Sequence, residues 1–450
     1  MSDILKLPRN GCALHGALQT VQKIQGLVPI VHATGGCAIQ NYLANKAGNY
    51  YSPQFSGNDI PGTAIQERHI IFGGASRLRE QIKNAVKVAD GQVYIVLNSC
   101  PSAMVGDDVD AMCREAQQQG EPVIDSLSAG FHGDVHYGYQ KVLTDIISGL
   151  EKLSASASTT PPLSQEDSSE KEIPVVNIFG IIPDKDIFFK GDLTEITRLL
   201  NGVGIKVNTF FNSPDGLEQI KKAKDASLSI VFGEWGKEPA QKLEELYKVP
   251  FIQFDSAPLG FDNSKDFLHK VIEKFSGSET EVYKKKADDF LTEEEQKFNY
   301  HLASVREAYY ENHLGRRIAI VGDTTTAAKY SKFLQKYFSA QIDTIIITDF
   351  FPTETLTSET RAEQLKSLAE NIYFSQDATE ITKLLQSSDS DIILGSSLEE
   401  DAAEKKSVPL LEISYPVFNR LILTKTHTGI SGAFSFIEDY ASVCQKQLQS

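Results

Sequence analysis

The feature that most restricts the fold of this chain is a recurring unit: a short apolar run, a turn of small residues, then a stretch with helical spacing. Val28–His32, Val93–Leu97 and Pro122–Ile124 are such runs in the first third. Pro174–Gly180, Lys206–Phe210, Ser227–Phe232 and Phe251–Phe254 follow in the middle, and Arg317–Asp323, Thr344–Thr348, Asp391–Gly395 and Pro409–Leu411 towards the end. Each reads as a short buried strand. Between them lie amphipathic segments, the clearest being Ser76–Val88 with Leu78, Ile82 and Ala85 on one face. The helix after Cys37 carries Ile39, Tyr42 and Leu43 at helical spacing, and Asp107 or Asp108 is placed to cap the next one. Three strand–helix arrays in one chain predict an α/β protein built from three doubly wound, Rossmann-like parallel sheets.

A chain of 450 residues also allows three domains of about 150 residues each. The expected boundaries are 1–153 for a cluster-binding α/β domain and 154–172 for a Ser/Thr/Pro-rich linker. A second α/β domain follows at 173–278, then a charged helical bridge at 279–316 and a third α/β domain at 317–450. The last helix, from about Gly432 to Gln449, is expected to pack back on an earlier domain. Val142–Leu150 reads as a helix and Phe131–Tyr139 as a Gly/His-rich loop.

Composition narrows the class of function. A formal net charge of -16 argues against general nucleic-acid binding and against an anionic membrane surface. No apolar run approaches the ~18 residues of a transmembrane helix. Met1–Asn10 lacks the apolar core of a signal peptide, so the expected location is cytoplasmic. Five cysteines are too few for a disulfide scaffold, and the number is odd. In a reducing compartment, cysteines set in turns more often serve metals or catalysis.

Three of the five are set that way. Cys12 lies in Asn10-Gly11-Cys12-Ala13-Leu14-His15-Gly16-Ala17, and Cys37 closes His32-Ala33-Thr34-Gly35-Gly36-Cys37. Cys100 lies in Asn98-Ser99-Cys100-Pro101, shortly before Gly106-Asp107-Asp108. Cys113 and Cys444 fall within helical segments and read as packed hydrophobes. Iron–sulfur clusters are held by thiolates, usually four for a cubane. One chain offering three points to a cluster shared across a subunit interface. Gly11, Gly35 and Gly36 would let backbone amides approach the cluster sulfides, and His32 reads equally as a donor to one and as a hydrogen-bonded structural residue. Cys37, at a helix start, gains from the positive end of the dipole. Zinc is the alternative, but the spacings are long and no CxxC pair occurs.

These motifs resemble the nitrogenase component 1 superfamily over nearly the whole chain. Gly11–Ala17 is similar to the family's first P-cluster turn, His32–Cys37 to the second, and Cys100 with Val105-Gly106-Asp107-Asp108 to the third. Phe72-Gly73-Gly74 matches the Phe-Gly-Gly ahead of the first long helix, and Ser128–Tyr139 resembles the family's Phe-Val-Gly-containing loop. Tyr415–Arg420 followed by Thr428–Ala433 looks β-type, as do Pro258-Leu259-Gly260 and Gly322-Asp323. The resemblance implies a metal-binding oxidoreductase with Cys12, Cys37 and Cys100 as ligands of an 8Fe-7S P-cluster or a 4Fe-4S cluster. It implies as partners an α-type nitrogenase-like subunit, or a second copy of this chain, and an ATP-dependent iron–sulfur reductase. ATP hydrolysis would belong to that reductase, since no GxxxxGK[ST] occurs here.

The chain departs from the pattern in three places. It has no cysteine between Cys113 and Cys444, and Asn419 stands where the family's cofactor histidine would be, so no active-site metallocofactor is expected on this subunit. Gly130 stands where the β-type loop carries a serine near the P-cluster. The expected function is therefore a β-type subunit relaying electrons from the reductase, through an interface cluster, to an active site on the α-type partner in a hetero-oligomer. The alternatives are a scaffold for cofactor assembly and a homodimer with one cubane that reduces an organic substrate. His132 and His136 read as surface-loop residues, with reach to an interface or substrate as the alternative. Gly322-Asp323-Thr324 gives a weak signal for phosphate at a helix start.

Overall fold

The computed structural model describes residues 9–40, 60–157, 173–211, 213–275, 279–312, 314–350 and 365–449. Its strands form three sheets in which every pairing is parallel. The first holds β1 (Leu27–His32), β2 (Val93–Asn98) and β3 (Val123–Ser126), in that order. The second holds β4 (Val175–Phe179), β5 (Lys206–Asn208), β6 (Leu228–Phe232) and β7 (Phe251–Phe254), in the order β5-β4-β6-β7. The third holds β8 (Arg317–Gly322), β9 (Gln341–Ile347), β10 (Asn371–Phe374), β11 (Ile392–Gly395) and β12 (Leu410–Glu412), in the order β10-β9-β8-β11-β12. The expected Rossmann-like α/β architecture is the one observed.

Why the strand runs are apolar throughout is visible in the first sheet. Leu27, Val31, Val93, Ile95 and Leu97 point into the main core, whereas Val28, Ile30, Tyr94 and Val96 point into a second core on the opposite face. Helices Ala75–Val88 and Val109–Gln118 close that second face through Leu78, Ile82, Val109 and Cys113. Two-sided burial removes the polar face that a half-exposed strand would need. The third sheet repeats the scheme, with Ile318 and Ile320 on the main core and Ala319 and Val321 on the other side.

The main-core face of the first sheet is covered by helices Ala13–Gln22 and Val135–Ala157, which pack against each other. They meet backbone to backbone. A Cβ on Gly138 would fall 2.0 Å from the Ala13 carbonyl oxygen, and one on Gly16 would fall 2.0 Å from that of Val135. This contact fixes the start of the first helix, and Cys12 with it, against the loop that holds Gly130. Gly138→Ala is accordingly expected to lower stability by about 1–3 kcal/mol through overpacking, read as a shifted urea midpoint.

The structure corrects several local readings. Phe131–Tyr139 is not a loop: a 3-10 turn at Gly130–His132 leads into a helix running from Val135 to Ala157. Asp134 starts that helix, with Oδ1 accepting from the backbone N–H of His136 at 3.0 Å. The expected linker begins inside this helix, and its remainder, 158–172, lies outside the described residues, as do Tyr42 and Leu43. Asp108 caps Val109–Gln118 through the Ala111 N–H, while Asp107 turns the other way. The last helix starts at Gly429; it packs against Phe189–Gly202 and Phe261–Glu273 of the second sheet, while its Phe436 and Tyr440 rings lie on Tyr330, Phe333 and Phe338 of the third domain.

In an open α/β sheet, ligands favour the crevice where strand order reverses. In the third sheet that point lies between β8 and β11, and Arg9 occupies it. Its guanidinium bonds Glu399 at 2.6 Å and the Ser414 hydroxyl at 3.1 Å. The helix start after Gly322-Asp323 is also taken by the protein's own acids. Asp323 accepts from the Thr326 N–H at 2.7 Å and Asp349 from the Thr324 N–H at 2.9 Å, so these amides have no need of a phosphate.

Candidate metal centre

Each of the three singled-out cysteines stands at the beginning of a helix. Cys12 is the N-cap residue of Ala13–Gln22, Cys37 lies in the first turn of a helix over 35–40, and Cys100 is the first residue of Cys100–Val105. The unpaired N–H groups of a first turn favour negative charge, so this is where a thiolate is stabilised. Burial alone would push the Cys12 thiol up. The hydrogen bond and charge of His15, with Nδ1 3.4 Å from Sγ, outweigh burial and hold Cys12 below the ordinary thiol range. The same contact raises His15 against the effect of its own burial.

The sulfurs of Cys12 and Cys100 meet at Gly130. A Cβ on Gly130 would lie 3.0 Å from Cys12 Sγ and 3.1 Å from Cys100 Sγ, so both thiols crowd the one backbone position without a side chain. Cys37 joins them through its carbonyl, 3.3 Å from Nε2 of His15. Burial raises the Cys37 thiol, the negative charge of Cys12 and Cys100 adds to that, and a long contact to the Thr34 hydroxyl at 3.9 Å opposes it. Among the described residues, no three His, Cys, Asp or Glu side chains lie close enough to hold a single metal ion.

Gly35 and Gly36 stand beside open space: a Cβ at Gly35 would meet nothing within 4 Å, and one at Gly36 only the Thr34 hydroxyl at 3.9 Å. His32 does something other than reach a sulfide. It is fully buried; its Nε2–H donates to Asp107 at 3.0 Å, and Nδ1 accepts from the Thr63 hydroxyl at 3.1 Å. Burial keeps the ring below its ordinary pKa, against the pull of Asp107, so the neutral form has no N–H left to offer. The other Asp107 oxygen accepts from the Gly74 N–H at 2.7 Å, and a Cβ on Gly74 would collide with Asp107 at 2.5 Å. This explains the Gly-Gly pair: it ties the helix Ala75–Val88 to the Cys100 loop.

His136 is buried too and forms a pair with Asp134, Nδ1 to Oδ2 at 3.1 Å, while its ring stacks on Trp235 of the second sheet. Burial would lower His136, but the Asp134 charge overrides it and the ring is held up to about 9. Asp134 Oδ2 also accepts from the Phe350 N–H at 3.2 Å and from Gln376 at 2.8 Å. Its backbone pairs with Cys12 as an antiparallel bridge. One carboxylate thus binds the thiol turn to the third sheet. Sequence reading assigned no role to His15 or Asp134; the Cys-x-x-His spacing, which stacks positions i and i+3 on a helix, was the available signal for the first.

Around the thiols the surface is unusually apolar. Ile39 follows Cys37, Met104 follows Cys100 and Phe131 follows Gly130; they are 60%, 79% and 58% exposed, and Phe72 is 86% exposed. Phe72 ends a short helix that packs against Cys100–Val105. Large exposed apolar side chains grouped in this way mark an interaction surface.

Fold and site together define an α/β scaffold of three parallel sheets with cysteines set at helix starts. The family model for nitrogenase component 1 type oxidoreductases matches residues 12–445, and the chain belongs to that family. It is 25% identical over 442 residues to the nitrogenase iron-molybdenum cofactor biosynthesis protein NifE of Clostridium pasteurianum, covering 96% of this chain and 86% of that protein. It is 23% identical to the nitrogenase molybdenum-iron protein beta chain of Methanothermobacter marburgensis, covering 97% and 93%. Among solved structures, nitrogenase Cp1 at pH 6.5 superposes with a TM-score of 0.76 at 18% identity, over 100% of this chain and 95% of that one. No helix among the described residues is long and apolar enough to cross a membrane.

Proposed function

We propose that this chain is the β-type subunit of a nitrogenase-like reductase, placed between an ATP-dependent iron–sulfur reductase and an active site on an α-type partner. The observation that supports the reading is that Cys12 and Cys100 meet beside Gly130 while His15 ties the Cys37 turn to Cys12, with Ile39, Met104 and Phe131 exposed next in sequence to Cys37, Cys100 and Gly130. Those thiols would hold an iron–sulfur cluster, P-type or cubane, and the partner would supply the remaining ligands and cover the rim. Such a cluster, when bound, stores and passes single electrons. What the chain itself contributes is a set of thiolates preorganised at helix starts, with His15 beside one of them. The substrate would be met on the partner, because this chain carries no cysteine between Cys113 and Cys444.

The likeness to a cofactor-biosynthesis protein favours a second reading, in which the chain is half of a scaffold for cofactor assembly. One measurement orders these possibilities. After anaerobic purification, native mass and iron content are read together. The expected result is a hetero-oligomer with about eight irons per αβ pair for a P-type cluster, or about four for a cubane. A homodimer with about four irons per dimer points to the single-cubane enzyme. An iron-free protein sinks the reading altogether. In a loaded hetero-oligomer, electron transfer to a small-molecule acceptor separates catalysis from assembly.

A further inference from the structure

We propose that His15 is a positioning residue for the metal centre: it clamps two of the three ligand turns together and hydrogen-bonds the Cys12 sulfur. The inference rests on the reading that Cys12, Cys37 and Cys100 hold a cluster. It adds a role for a side chain that is not itself a ligand.

The placement follows from the local sequence. Cys12 is the N-cap of the helix Ala13–Gln22 and His15 is its third residue, so the two side chains meet over the first turn. The turn is locked by the His15 and Gly16 N–H groups, which donate to the Cys12 carbonyl at 3.0 and 3.1 Å. Gly11 makes room, since a Cβ there would fall 3.2 Å from the His15 Cβ and 3.3 Å from Nδ1. The ring then spans from Cys12 Sγ at 3.4 Å to the Cys37 carbonyl at 3.3 Å, joining turns that are 25 positions apart in the chain. Cys37 has only the distant Thr34 hydroxyl, 3.9 Å away, so the strongest side-chain contact falls on Cys12.

Two consequences follow from general metal-site chemistry. A carbonyl and a thiolate only accept, so the ring donates to both when each of its nitrogens carries a proton; in that form the hydrogen bond draws charge from the ligating sulfur, which stabilises the reduced cluster and raises its potential. A side chain that holds two ligand turns in register slows ligand loss, and removing such outer partners typically costs about 10–100-fold in metal retention.

The test compares wild-type protein, His15→Leu and His15→Gln, each purified anaerobically with whatever subunits accompany it. Three quantities are read: iron lost to a ferrous chelator, the midpoint potential from an EPR-monitored redox titration, and the melting curve after iron removal. For His15→Leu the expectation is iron loss about 10–100-fold faster and a potential moved to more negative values, with the iron-free melting curve unchanged. Glutamine keeps an N–H at similar reach, so His15→Gln should recover part of the potential. Wild-type retention and potential in both variants would overturn the proposal, as would equal impairment in both, which would mean packing alone. A wild-type protein that binds no iron overturns the cluster reading first, and this proposal with it.

Discussion

Replacing Asp134 with alanine is expected to destabilise the chain by about 3–5 kcal/mol, the cost of leaving a buried partner charge uncompensated. Asp134 is 6% exposed and serves at once as helix cap, ion-pair partner of His136 and acceptor for Phe350 and Gln376 of the third sheet. The pair also gives stability a pH signature. His136 is held up to about 9, above the about 6.5 of a free imidazole, so its contribution is complete below about pH 6.5 and fades as pH rises through about 9. Burial works against ionised Asp134, but His136 and its N–H donors hold it below the usual carboxylate range; its contribution is present above about pH 4 and fades as pH falls. The gap in urea midpoint between wild type and Asp134→Ala should therefore be widest at about pH 4–6.5 and narrow markedly by pH 9.5. A gap that does not vary across this range would mean that packing, not charge, holds the junction. His136→Gln should show the same narrowing at high pH with a smaller total loss, since glutamine leaves only Asp134 to be rehydrated.

What the sequence made legible was whatever depends on neighbours in the chain. β1 and β2 stood out because every residue in them is apolar or buried. The thiol turns stood out because a cysteine among glycine, serine and proline is rarely just packing. Cys113 and Cys444 were correctly read as core residues, both 0% exposed. What stayed hidden depends on partners far away. Asn10–Ala17 reads as a turn in the sequence, but Ala13 onwards is helical to Gln22, and Gly16 is what lets that helix lie against the Val135 backbone. Strand β10 is short and half exposed at a sheet edge, so it carries little apolar signal. His136 looked like a surface-loop residue because its partners, Trp235 and Asp349, come from two other sheets. His32 looked aimed at the cluster because it precedes the Cys37 turn, but Asp107, 75 positions on, claims its ring.

A five-cysteine alanine scan would show which of these readings is chemistry. Cys12→Ala, Cys37→Ala and Cys100→Ala should each remove the iron–sulfur absorption, with iron retention falling by more than the roughly 100-fold that loss of an outer partner costs. Their effect on folding should be small, because all three are only partly buried. Cys113→Ala and Cys444→Ala should behave in the opposite way. Iron stays, and stability drops by about 1 kcal/mol as a buried sulfur is lost from a packed core. Thiol labelling of the iron-free protein adds an independent check. Cys12, held below the ordinary thiol range by His15, should react fastest at neutral pH, and Cys113, which burial and nearby Asp125 push upward, should not react until the chain unfolds. If iron loss instead tracked Cys113 or Cys444, or if all five variants kept their iron, the three turns would be an accident of packing and the partner would have nothing to share.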